Sequence, residues 1–142
     1  MQNRIEKYPK DLGFYMPAEW QHHDRCWMLW PTGIDPARYP NLVNMRQAYA
    51  NTAKAIVKFE PVTMIANKSD IEECQKLCGE KVVVMPLRID DSWARDSGPT
   101  FITKGPLIAG VDWTFNNYGE NLNFSYKNDA LIASKVTKHL NL

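Results

Sequence analysis

A chain of 142 residues suits one ordinary domain, large enough to bury roughly 70% of the surface its unfolded form exposes. Its formal net charge of +1, with basic residues scattered rather than blocked, argues against nucleic acid and against a polybasic membrane patch as partners. No apolar run reaches the ~18 residues of a membrane-spanning helix, and the charged opening "MQNRIEKYPKDLGFY" lacks the apolar centre of a signal peptide, so a cytoplasmic protein is expected.

In chain order, residues 1–13 are polar and read as a loose lead-in to a single domain over 14–142. "CWMLWP" (26–31) is a short apolar strand ended by Pro31, followed by the turn-rich "TGIDPARYP". Asn41 can cap a helix to about Phe59, in which Met45, Tyr49, Thr52, Ile56 and Phe59 recur at helical spacing. Pro61 cannot continue it, and "VTMIA" (62–66) is the next strand. Ser69 or Asp70 starts a short helix through Leu77 that stops at Gly79. "KVVVMPL" (81–87) is the clearest strand. Beyond it, "TFIT" (100–103) and "LIAGVDWTF" (107–115) flank "KGP" as an antiparallel hairpin. Residues 116–128 are loop-like, and Asn128 can cap a last helix bearing Leu131, Ile132, Val136 and Leu140. Strands alternating with helices predict an α/β fold.

The three cysteines, Cys26, Cys74 and Cys78, are an odd number with no export signal, which argues against a disulfide framework. Cys74 and Cys78 fall four apart on a helix, but a closed metal site needs more ligands, and His22 and His23 are far away in sequence. No metal is expected, and the cysteines read as small buried hydrophobes.

The chemistry concentrates in "IDDSWARDSGPTF" (89–101), placed directly after an apolar strand. Two readings compete. Asp, Ser and Gly-Pro are ordinary turn residues; Arg95 could pair with Asp91 or Asp96, and Trp93 could simply pack. Alternatively, ligands of α/β folds gather beyond the carboxyl ends of strands, and a planar guanidinium wants carboxylates at its rim and an aromatic on its face. Asp91, Asp96 and Trp93 supply both kinds of group on one loop.

"MPAEWQHHDRCWMLWP" (16–31), "DDSWARDSGPTFI" (90–102) and "AGVDWTFNNYG" (109–119) resemble, in the same order, three signatures of the agmatine deiminases, peptidyl-arginine-deiminase-like members of the guanidino-group-modifying superfamily. The resemblance implies a five-bladed α/β propeller of the pentein type, of which this chain would supply the opening blades. It also implies cofactor-free hydrolysis of agmatine to N-carbamoylputrescine and ammonia, a step toward putrescine. A cysteine thiolate attacks the guanidinium carbon, ammonia leaves, and water resolves the thioether. On that resemblance Asp96 matches the guanidinium-binding aspartate, while Trp93 and Asp91 match positions that line or support the pocket.

The family's other signatures, an "EGG"-type glutamate, "GHxD", and the "GGNxHC"-type segment with the nucleophile, do not occur in these residues. The resemblance therefore implies an amino-terminal part over 14–142, apparently truncated, inactive or nearly so alone, and prone to self-association through exposed blade surfaces. Cys26 reads as inert, His23 as structural and His139 as a surface residue. The family usually has Asn where Asp90 stands and "FNAWGG" where this chain has "FNNYGE", so Tyr118 and Glu120 are departures as well. A deiminase of free or peptidyl arginine, and a non-catalytic guanidinium-binding remnant, are the alternatives.

Overall fold

The computed structural model describes residues 7–33, 36, 39–120 and 124–142. The start of the expected lead-in, part of "TGIDPARYP", part of the 116–128 loop and the side chain of Glu120 lie outside the described residues.

Five elements alternate at the centre: β1 (Cys26–Leu29), α1 (Leu42–Ile56), β2 (Val62–Ala66), α2 (Ile71–Cys78) and β3 (Val83–Pro86). The strands form one parallel sheet in the order β1-β2-β3, with Cys26 opposite Val62 and Thr63 opposite Val83. Parallel neighbours need a crossover, and the two helices provide it. The α/β expectation holds, with shorter strands than the apolar runs suggested, since Trp30, Pro31 and Leu87 continue past the paired segments.

β2 is central and fully buried along its length, apolar except for Thr63, whose hydroxyl accepts from Arg25 at 3.0 Å. Its residues alternate between two cores. Val62, Met64 and Ala66 pack with Trp30 and Val82 against Ala50 and Ala53 of α1 and Cys74 and Cys78 of α2. Ile65 points the other way and joins Leu29 and Ile89 beneath Ile132 and Val136 of the last helix, Ile132–His139. Each such fully buried aliphatic side chain stabilises the fold by roughly 1.5–3 kcal/mol.

α1 begins as expected, with Asn41 accepting from the Asn44 amide at 3.1 Å. Its buried face differs from the expected stripe: Arg46, Ala50 and Ala53 are buried, whereas Thr52 is exposed and Phe59 lies in the turn beyond the helix, 89% exposed. Small residues let α1 approach α2 and the sheet closely, and Arg46 is admitted because its polar atoms are all engaged. It donates to the Pro31 carbonyl at 3.0 Å, pairs with Asp70 at 3.1 Å and with Glu73, and lies over the Trp30 ring. Asp70 does stand at the amino end of α2, but its carboxylate serves Arg46 rather than a backbone amide.

β4 (Thr100–Lys104) and β5 (Leu107–Val111) form the expected hairpin as a separate two-stranded sheet, and Tyr15 bridges to Thr103 on its free side. β5 ends four residues short of Phe115. Tyr118, in the turn Asn117–Glu120, adopts φ 58°, beside Asn117 and Gly119, which are also positive. No helix among the described residues is long and apolar enough to cross a membrane.

Candidate functional site

The segment Ile89–Ser92 leaves the carboxyl end of β3 and crosses the carboxyl ends of β1 and β2. Its backbone is held by side chains rather than by a ladder. Just past β2, Asn67 reads both polar groups of Ile89: its carbonyl accepts from the Ile89 amide at 3.0 Å and its amide donates to the Ile89 carbonyl at 3.1 Å. Just past β1, Thr32 donates to the Asp90 carbonyl at 2.6 Å. From the start of the last helical segment, Asp129 accepts from the amides of Asp90 and Asp91 at 2.7 and 2.9 Å. Buried backbone polar groups need partners, and three separate elements supply them here.

Asp90 returns the contact. Its carboxylate accepts from the Asn128 amide at 2.7 Å and from the Asn128 side chain at 2.8 Å, so the expected Asn128 cap is replaced by a cap reaching across from Asp90. Asp90 and Asp129 are both almost wholly buried. Burial pushes the Asp129 carboxyl up to about 6; the charges of Asp90 and Asp91 add to this, and the two amide hydrogen bonds oppose it.

Asp91 is a node. It accepts from the Tyr39 hydroxyl at 2.7 Å, from the Ser92 amide at 2.7 Å and from the Trp93 indole at 3.0 Å. Its oxygens are thus committed to orienting its neighbours. Trp93 lies half-exposed, and its carbonyl receives the Asp96 and Ser97 amides, opening the single helical turn Ala94–Ser97. Asp96 is exposed, and its carboxylate has no hydrogen bond or ion pair among the described residues. Arg95, the cation beside it, turns to Glu19 at 2.9 Å instead of pairing with Asp91 or Asp96.

The residues singled out in the sequence therefore share one loop in different states: Asp96 with its acceptors open, Trp93 pinned, Asp91 doing the pinning. A shallow cavity of about 240 Å³ lies beside the loop, lined by Trp27, Met28, Leu29, Tyr49 and Ala94. Thr52 and Ser92 complete the lining, which contains no carboxylate to pair with a cation. Tyr39, Asn67, Asp90 and Asp129 escaped the sequence reading as parts of this assembly. The only signal was that polar residues follow each strand.

The cysteines and histidines stand elsewhere. Cys26 donates to Glu60 at 3.3 Å, and burial, with that carboxylate beside it, pushes its thiol up to about 11. Cys74 and Cys78 lie in the core with sulfurs 3.9 Å apart, and the Cys74 thiol is raised by its bond to Cys78 and by burial. His23 is exposed and contacts Glu60, and His139 is exposed. No group of three or more His, Cys, Asp or Glu among the described residues is arranged to hold a metal ion.

The parallel sheet thus fixes a loop bearing carboxylates and an indole across the carboxyl ends of its strands. The model of the Porphyromonas-type peptidyl-arginine deiminase family matches residues 15–142, and the chain belongs to that family. A Legionella pneumophila relative, provisionally named an agmatine deiminase, is 44% identical over 133 residues, covering 92% of this chain and 38% of its own length. The agmatine deiminase of Medicago truncatula is 34% identical over 144 residues, covering 93% and 38%. Among solved structures, the agmatine deiminase of Enterococcus faecalis superposes with a TM-score of 0.87 at 31% identity, over 98% of this chain and 39% of that one. The chain thus spans about two fifths of the length of the relatives it matches.

Proposed function

We propose that this chain forms the guanidinium-binding portion of an agmatine deiminase, and that agmatine is the ligand. In the complete reaction, water replaces one guanidino nitrogen, giving N-carbamoylputrescine and ammonia, a cytoplasmic step toward putrescine. Asp96 accepts hydrogen bonds from the guanidinium and holds its charge, which keeps the carbon electrophilic. Trp93 offers an aromatic face to the same planar cation. Asp91 orients Trp93 instead of binding the ligand directly.

One observation carries this reading: Asp96 is exposed and has no ion-pair partner among the described residues, while the adjacent Arg95 is drawn away to Glu19. A turn that only solvated itself would have used Arg95 to neutralise the loop. The names of the relatives favour agmatine over arginine in a peptide, although the family description mentions the latter. A complete five-bladed propeller, with the thiolate and the proton-moving histidine supplied by further polypeptide, fits the share of its relatives that this chain spans.

Calorimetric titration with agmatine tests the proposal. Binding by the chain, weakened about tenfold or more in Asp96→Ala, is expected, since a charged hydrogen-bonded pair contributes ~1.5–3 kcal/mol. Equal affinity of the two proteins sinks the role given to Asp96.

A further inference from the structure

We propose that Asp129 is a positioning residue of this site, setting the geometry of Asp91 and Trp93 from 38 residues away in sequence. The proposal rests on the guanidinium-binding reading above, and it adds a residue from a different element.

The connection is short. The two oxygens of Asp129 divide between the amides of Asp90 and Asp91, at 2.7 and 2.9 Å. The Asp91 side chain then holds the Trp93 indole at 3.0 Å and the Tyr39 hydroxyl at 2.7 Å. The Trp93 carbonyl in turn receives the Asp96 amide at 3.3 Å. Any rotation of the Asp90–Asp91 peptide therefore moves the indole and the start of the turn that bears Asp96. Thr32 and Asn67 hold neighbouring backbone groups of the same segment, but neither titrates. Asp129 alone among these three anchors can change its hydrogen-bonding capacity with pH.

The groups facing Asp129 are carboxylates. Asp90 and Asp91 are the charged groups that act on it, with Tyr39 beyond Asp91. Among the described residues no cation acts on it there, and burial favours its neutral form. Protonation makes one oxygen a donor and a poorer acceptor, so the hydrogen bond from one of the two amides weakens and the segment relaxes. The site is held firmly when Asp129 is ionised and loosely when it is not.

The test is a heteronuclear NMR pH titration of the ligand-free chain, with agmatine affinity measured across the same range. The expected result is that the Asp90 and Asp91 amides and the Trp93 indole N–H move together, with a midpoint near about 6. Agmatine affinity should fall about tenfold below that midpoint, and Asp129→Asn should abolish the shared transition and weaken agmatine by a similar factor at neutral pH. Asp90→Asn keeps an acceptor for Asn128 and removes one charge facing Asp129, so it should lower the midpoint. That variant decides the matter should Asp129→Asn fail to fold. A Trp93 indole that stays still while the two amides titrate would overturn the proposal, as would a midpoint unchanged in Asp90→Asn. If the wild-type chain binds no agmatine at any pH, the proposed function falls, and the ligand-free transition still decides whether Asp129 positions Trp93.

Discussion

Asp129 bears an energetic cost that its surroundings set. Its folded-state value is raised from 3.8 to about 6, so its contribution to stability is fully present below the unfolded value and is lost as pH rises through about 6. A shift of this size corresponds to a few kcal/mol, on the order of 3 at most. The denaturant midpoint of the wild-type chain should therefore decline between about pH 4 and 7 more steeply than that of Asp129→Asn. Parallel curves for the two proteins would mean that the carboxyl titrates in the ordinary range. The same loss in stability accompanies a gain in order at the site, because the ionised form accepts both amides. Burial acts in the same direction on Cys26. Pushed up to about 11, its thiol is the wrong species for attack on a carbon, with roughly one part in a thousand ionised at pH 8.

Between elements, the fold is joined by side chains that sit just past strand ends. Asn67 at the end of β2 is the clearest, since it satisfies both polar groups of Ile89, itself 3% exposed. Asn67→Ala should destabilise the chain by about 2 kcal/mol, because the buried amide and carbonyl lose their partners together. It should also displace the Trp93 indole resonance. A folded variant with unchanged stability would show that water replaces Asn67 at no cost. Much of this level was legible in the sequence. Apolar runs bounded by turn residues located all five strands, and Asn41 marked the start of α1. The burial of Arg46 was not legible, because an arginine in a helix reads as solvent-facing until Asp70, Glu73 and the Pro31 carbonyl are seen around it. The site divided in the same way. Asp91, Trp93 and Asp96 sit together in the chain and were found together. Asp129, Asn67 and Tyr39 reach the loop only through folding, and apart from the position of Asn67 just past β2 their local sequence does not mark them.

At the scale of the molecule, among the described residues β1, β3 and β5 each lack a second strand neighbour, while β4 has only the Tyr15 bridge on its free side. β1 and β3 are the outer strands of the parallel sheet, and the hairpin forms a sheet of its own. Exposed Val83 on β3 and Leu107 and Ile108 on β5 add apolar surface at two of these strands. Unpaired edges with apolar side chains are ready templates for further pairing. The curated relatives are more than twice as long, which accords with additional polypeptide meeting these surfaces in a complete enzyme. The three cysteines are poorly placed to attack a ligand: Cys26 is hydrogen-bonded to a carboxylate, and Cys74 and Cys78 lie in the core, where their mutual hydrogen bond raises the Cys74 thiol and lowers that of Cys78. Binding and turnover should therefore separate. The chain as it stands should bind agmatine yet release no ammonia above the uncatalysed background, and its sedimentation coefficient should rise with concentration. Ammonia release lost on blocking thiols would place the nucleophile among Cys26, Cys74 and Cys78, against the raised thiol of Cys26 and the burial of the other two. A concentration-independent monomer would mean instead that the open edges are protected by the residues already in this chain, and that the guanidinium loop is a self-sufficient binding module.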